Sequence, residues 1–131
     1  MTAMKEQSVS SPLTKKKVLI VEDDGEMCLL LNILLDETSL DLDHVKSLEK
    51  AVEYLQISQP SVIILDNKLP DGFGINLLTY VKKMYPQIKI IMISGYGAEV
   101  KDAAIESGAD DFIEKPFTRN QLLHSLELSM S

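Results

Sequence analysis

Three short aliphatic runs and one short mixed segment in this chain each end on a side chain that can bind an ion or attack an electrophile. Glu22 and Asp23 follow Val18-Leu19-Ile20-Val21, and Asp66 follows Val62-Ile63-Ile64-Leu65. Ser94 follows Ile90-Ile91-Met92-Ile93, and Lys115 follows Phe112-Ile113-Glu114. If these residues meet, three carboxylates repel one another and raise each other's pKa unless a cation sits among them. An all-oxygen set suits Mg²⁺, or Mn²⁺ in its place, whereas zinc prefers His and Cys, which this set lacks. Such ions accompany phosphoryl groups. The Ser94 hydroxyl and Lys115 ammonium would then hold phosphoryl oxygens while Asp66 supplies a nucleophilic carboxylate, the makings of an aspartyl-phosphate site. Taken by itself, Asp66 has an equal second reading as a turn starter ahead of Pro70-Asp71-Gly72.

The elements that must position these residues are legible from periodicity. Runs such as Val62 to Leu65, rich in Val and Ile, read as strands buried on both faces. Strands are predicted at Val18 to Val21, Leu40 to Lys46 (an alternating, edge-like segment), Ser61 to Leu65, Ile88 to Ile93 and Asp111 to Glu114. Helices lie between and after them. Met27, Leu30, Leu31, Leu34 and Leu35 form a stripe over Glu26 to Glu37. Ser47 is the predicted N-cap of a helix carrying Leu48, Ala51, Val52 and Leu55. Ile75, Leu78 and Val81 mark a third helix ending before Pro86, Val100 to Ile105 a fourth with Gly108 as C-cap, and Leu122 to Leu128 a fifth. Strand and helix alternate five times over. Short connections and right-handed crossovers then imply a parallel sheet with helices on both faces, and in such a sheet the carboxyl ends of the strands form the ligand-binding edge. Glu22, Asp23, Asp66, Ser94 and Lys115 all fall on that edge.

The chain has 131 residues, 45% of them hydrophobic and 25% charged, as expected for one ordinary globular domain. Its net charge of -7 disfavours roles built on non-specific contact with nucleic acid or anionic membrane. No apolar run approaches the roughly 20 residues of a membrane helix, and the N-terminus lacks a secretory h-region, so a cytoplasmic location is expected. Residues 1–14 read as a flexible tail and 15–131 as the folded domain. Cys28, the one cysteine, sits among Met27 and Leu29 to Leu31 and reads as a small core hydrophobe rather than a reactive thiol. His44 and His124 read as packing or solvated residues outside the site.

In these motifs the chain resembles the receiver domains of two-component response regulators. The acid pair after the first strand, Leu65-Asp66-Asn67-Lys68-Leu69-Pro70 with Gly74 following, Ser94-Gly95, and Lys115-Pro116-Phe117 occur in order at family-like spacing, and the resemblance covers about residues 16 to 129. It implies a flavodoxin-like, doubly wound α/β fold with strand order 2-1-3-4-5 and five helices. It further implies that Asp66 accepts a phosphoryl group from a histidine kinase or histidine phosphotransfer protein. Asp23 would bind Mg²⁺ directly, with Glu22 acting through water and the Lys68 backbone carbonyl as a further ligand. A register slipped by one, using Asp23 and Asp24, stays open. Ser94 and Lys115 would grip the phosphoryl group, Phe112 would be the switch aromatic, and Lys115-Pro116 would be a cis peptide. The switching face would lie on the fourth helix, fifth strand and fifth helix.

The same resemblance implies a signalling phosphoacceptor rather than an enzyme. It acts through a downstream protein or a fused output domain, as a monomer or a phosphorylation-dependent dimer, without touching nucleic acid or membrane itself. Lys68 and Tyr96, each two residues beyond a site residue, are expected to overhang the pocket and lengthen the life of the acyl phosphate. Two rivals remain. A Mg²⁺-dependent aspartyl-nucleophile phosphohydrolase would want an acid where Lys68 stands, and a pseudo-receiver would not need the complete set of acid, hydroxyl and lysine.

Overall fold

The computed structural model describes residues 16–130; the flexible tail expected at 1–14 lies outside them. Five strands, β1 (Lys17–Val21), β2 (Asp41–Val45), β3 (Val62–Asp66), β4 (Lys89–Ser94) and β5 (Asp111–Glu114), alternate with five helices. The helices are α1 (Gly25–Leu34), α2 (Leu48–Ile57), α3 (Gly74–Met84), α4 (Ala98–Glu106) and α5 (Arg119–Met130). The strands form one sheet in the order β2-β1-β3-β4-β5, with every pair parallel. This is the expected flavodoxin-like, doubly wound topology.

Period-two alternation within the strands divides the core into two layers. Leu19, Val21, Ile63, Leu65, Ile90 and Met92 point to one face, where Leu55, Leu78, Val81 and Ala104 from α2, α3 and α4 meet them. Val18, Ile20, Val62, Ile64, Ile91 and Ile93 point to the other, against Leu31 of α1 and Leu122 and Leu126 of α5. With both faces covered by helices, the carboxyl ends of the strands remain open to a ligand among the described residues.

Local differences from the sequence reading have identifiable causes. The first helix ends at Leu34 rather than Glu37, because the hydroxyl of Thr38 donates to the Leu35 carbonyl at 2.6 Å and its amide does so at 3.2 Å, folding the chain back. Leu30 is not a core residue. At 38% exposure it stands off the buried line set by Leu31 and Leu35. The edge strand β2 begins one residue after Leu40, and all five of its residues are half-buried, as befits a strand covered on one side only. The fourth helix is capped at Ser107, with Gly108 next at φ +109°, where its N–H still reaches the Ile105 carbonyl at 3.0 Å. One feature was absent from the sequence reading: residues Lys68–Leu69 and Gly72–Phe73 pair antiparallel as a miniature hairpin directly after Asp66.

Candidate functional site

The sheet edge gathers the strand-end residues Glu22, Asp23, Asp66, Ser94 and Lys115, together with Lys68 and Tyr96. Because β1 and β3 pair in register with Val21 opposite Leu65, Glu22 and Asp66 emerge side by side. Ser94 ends β4 next to them, and its carbonyl accepts the Lys115 amide at 2.8 Å, setting the lysine just past β5. The Lys115–Pro116 bond is cis, as the resemblance implied. Glu22, Asp23, Asp66, Lys68, Ser94, Tyr96 and Lys115 line one open cleft of roughly 340 Å³, together with Asp24 and Gly95.

Lys115 Nζ lies 3.0 Å from Asp66 Oδ1 and 3.4 Å from Glu22 Oε1. Burial alone would lower the pKa of this ammonium, but hydrogen bonds and charge attraction to Asp66 and Glu22 outweigh burial and raise it. Glu22 shows the opposite imbalance. Only 3% exposed, it is pushed up to about 7 by burial and then by the charge of Asp66, with Lys115 countering in part. One ammonium does not compensate the acids around it.

That imbalance makes the donor set a fit for a hard divalent cation. Carboxylate oxygens of Glu22, Asp23 and Asp66 lie within 4.8 Å of one another, and all-oxygen ligation beside open solvent matches Mg²⁺. The slipped register has a competing use for its acid. Asp24 is the N-cap of α1, its Oδ1 accepting the Glu26 amide at 2.9 Å, while the Asp24 amide donates to Glu22 Oε2 at 3.3 Å.

Ser94 is 1% exposed, and its Oγ accepts the Tyr96 amide at 3.1 Å. Lys68 and Tyr96 are exposed over the cleft, Tyr96 by 57%. Phe112 is half-buried against the α2–α4 core layer. It also lines a separate cavity of roughly 460 Å³ beside α5 that includes Gln121 and His124. His44 Nε2 lies 3.0 Å from Asn32 Nδ2, and neither histidine enters the acidic cleft. Cys28 is half-buried rather than a core residue; its thiol donates to the Glu22 carbonyl at 3.4 Å, and burial, then the charge of Glu22, raises its pKa, which disfavours a reactive thiolate. Asn67, noted in the sequence only as a member of the Leu65 to Pro70 motif, has a structural role. Its carbonyl accepts the Gly74 amide at 2.7 Å and its Oδ1 accepts the Ile75 amide at 3.3 Å, which ties the end of β3 to the start of α3. An Asn directly after a strand-ending acid was the available signal.

The Glu22 shift predicts a pH dependence. A carboxyl with a raised folded-state pKa holds a proton that the unfolded chain has lost, so its contribution to stability falls as pH rises from about 4.5 to about 7. In metal-free protein, Glu22→Gln should therefore be more stable than wild type by a margin that grows from pH 5 to 8. Denaturant melts across that range in the presence of a chelator measure it, and a constant margin would contradict the electrostatics described.

The sequence matches the family described as "Response regulator receiver domain" over residues 18–127. It is 32% identical over 111 residues to the response regulator protein PilR of Pseudomonas aeruginosa, covering 84% of this chain and 25% of that protein. It is 29% identical over 118 residues to the phosphate regulon transcriptional regulatory protein PhoB of Escherichia coli, covering 88% and 52%. The chain thus spans between a quarter and about half the length of these relatives. The receiver domain of NtrX from Brucella abortus superposes with a TM-score of 0.81 at 30% identity, covering 86% of this chain and 97% of that one. A response regulator receiver domain protein from Methanospirillum hungatei gives 0.83 at 26% identity, covering 89% and 94%. No helix among the described residues is long and apolar enough to cross a membrane. On the family match, the sheet order and the acidic cleft at its carboxyl edge, the chain belongs to the receiver domains of response regulators, the phosphoacceptor modules of two-component signalling.

Proposed function

We propose that Asp66 accepts a phosphoryl group from the phosphohistidine of a histidine kinase or histidine phosphotransfer protein, in a Mg²⁺-dependent reaction in the cytoplasm. The observation that carries this reading is the single cleft where Asp66 meets Glu22, Asp23, Ser94 and Lys115. An Asp66 carboxylate oxygen attacks phosphorus as the P–N bond breaks, and the electron pair stays on the donor imidazole, which takes up a proton. Asp23, Asp66 and the Lys68 backbone carbonyl, with Glu22 acting through water, would hold a divalent cation, which would neutralise charge on the phosphoryl oxygens. Lys115, already paired with Asp66, follows its carboxylate charge onto the phosphoryl group. Ser94 receives the Tyr96 amide on its oxygen and keeps its hydroxyl proton to donate to a phosphoryl oxygen. A shift of Ser94 toward that oxygen gives Phe112 room to turn, altering the face of α4, β5 and α5 that a downstream protein or output domain reads. Moving that equilibrium from 1:99 to 99:1 takes about 5.5 kcal/mol of preference for the active state.

Incubation with a small-molecule phosphodonor and Mg²⁺, followed by intact mass and peptide mapping, tests the reading. One phosphoryl group on the peptide containing Asp66 supports it. Continuous phosphate release without a phosphoprotein would instead indicate a hydrolase, and no change would indicate an interaction module.

Lys68 and Tyr96 overhang the cleft and shield the acyl phosphate from water, which gives it a lifetime suited to relay onto a second histidine. Lys68→Ala and Tyr96→Ala should each accelerate dephosphorylation of the purified phosphoprotein. Unchanged decay in both would remove this role.

A further inference from the structure

The hairpin after Asp66 is anchored at its tip by a residue that touches neither the cleft nor any reacting atom. In the first turn of α2, Ser47 Oγ accepts the Lys50 amide at 3.1 Å, the ordinary N-cap bond. The amides of Leu48 and Glu49 turn elsewhere. They donate to Asp71 Oδ1 and Oδ2 at 2.9 and 3.0 Å, across 23 and 22 residues of chain. Those two hydrogen bonds favour the carboxylate and hold the Asp71 pKa below its usual range. The adjoining Gly72 has φ +148°, and a Cβ there would lie 2.9 Å from Leu48 Cδ1, so the turn is pressed onto the same first residue of α2.

The opposite end of this hairpin belongs to the cleft. Lys68 pairs with Phe73 and Leu69 with Gly72, Leu69 is buried in the core, and Lys68 lines the acidic pocket. Asn67 fixes the base of the loop to α3, which leaves Asp71 as the attachment of its tip.

We propose that Asp71 is a positioning residue: by binding the start of α2 it fixes the 68–73 hairpin, and with it the Lys68 backbone carbonyl at the cation site. The inference rests on the reading of the cleft as a Mg²⁺ site. It goes beyond that reading in coupling the cation to α2, an element that contributes no residue to the cleft. Asp71 is also placed to transmit a displacement of the start of α2 to the metal ligands.

The test compares Asp71→Ala and Asp71→Asn with Ser47→Ala, which removes the other cap of the same helix without touching the hairpin. Thermal melts should show comparable loss of stability for Asp71→Ala and Ser47→Ala. Mg²⁺ affinity by calorimetry should fall on the order of tenfold for Asp71→Ala alone, the usual cost of losing a residue that supports a metal ligand. Asp71→Asn keeps one acceptor and should fall between, and it serves in place of the alanine variant if that variant does not fold. Amide exchange at 68–73 in metal-free protein should accelerate in the Asp71 variants and not in Ser47→Ala. Unaltered Mg²⁺ affinity in the Asp71 variants, or an equal loss in Ser47→Ala, overturns the proposal. A wild type that binds no Mg²⁺ would overturn the cation reading instead; hairpin exchange then decides the role of Asp71, unchanged exchange refuting it.

Discussion

Asp66→Asn is expected to leave a folded protein that no longer takes up phosphate, with a rate loss on the order of 10⁴-fold or more, as for removal of a nucleophile. The substitution preserves shape. An amide oxygen can still accept from Lys115 Nζ where Asp66 Oδ1 now does at 3.0 Å, so the fold has no reason to fail. What disappears is the anionic oxygen that would attack phosphorus and one charged ligand of the proposed cation. A second effect separates this variant from a merely damaged protein. The charge of Asp66 is one of the two influences that raise Glu22, so Asn at this position should bring Glu22 down toward the ordinary carboxylate range. Intact mass after phosphodonor treatment, together with a pH titration of metal-free stability, measures both. Labelling at the wild-type rate would overturn the assignment of Asp66.

Gly74→Ala should be strongly damaging, with the closest Cβ clash of any glycine among the described residues. A Cβ on Gly74 would lie 2.4 Å from the Asp66 carbonyl oxygen and 3.1 Å from both Asn67 Cα and Leu65 Cγ. Two of these atoms are backbone, so no side chain can swing away. The clash must push Gly74 off β3, break its 2.7 Å bond to the Asn67 carbonyl and move the strand end that carries Asp66. Overpacking of this kind costs about 1–3 kcal/mol, and phosphorylation should fall with it because the displaced atoms are those of Asp66, the proposed acceptor. Gly25→Ala is the matched control. It too begins a helix, nothing lies within 4 Å of its Cβ, and replacing a helical glycine there should be neutral or stabilising by up to about 1 kcal/mol. Thermal melts and phosphodonor labelling of the two variants side by side provide the measurement, and equal behaviour would show that close approach at Gly74 does not matter.

Most of the fold was legible because the sequence repeats a simple signal. Each of β1, β3 and β4 is a run of aliphatics buried on both faces, the next helix carries a 3.6-residue stripe, and alternating strands and helices admit one favoured handedness. The four strand ends then had to share an edge, which made Glu22, Asp23, Asp66, Ser94 and Lys115 recognisable as a group before any distance was known. The edge strand β2 was harder to bound, since half-burial blurs its pattern. The hairpin at 68–73 was invisible because two-residue strands carry no period.

The residue types at the strand ends, and the topology that gathers them, were therefore determined by the sequence alone, because hydrophobic periodicity and chain connectivity are local properties. Tertiary structure decided which acids are brought together and what holds them. Lys115 reaches Glu22 across 93 residues and Asp66 across 49, Asp24 is drawn into a helix cap, and Asp71 reaches back to α2. Each of these depends on distance and direction between segments far apart in the chain, which side-chain identity does not encode. The raised pKa of Glu22 has the same origin: burial and the charge of Asp66 act on it only once the sheet brings the two together.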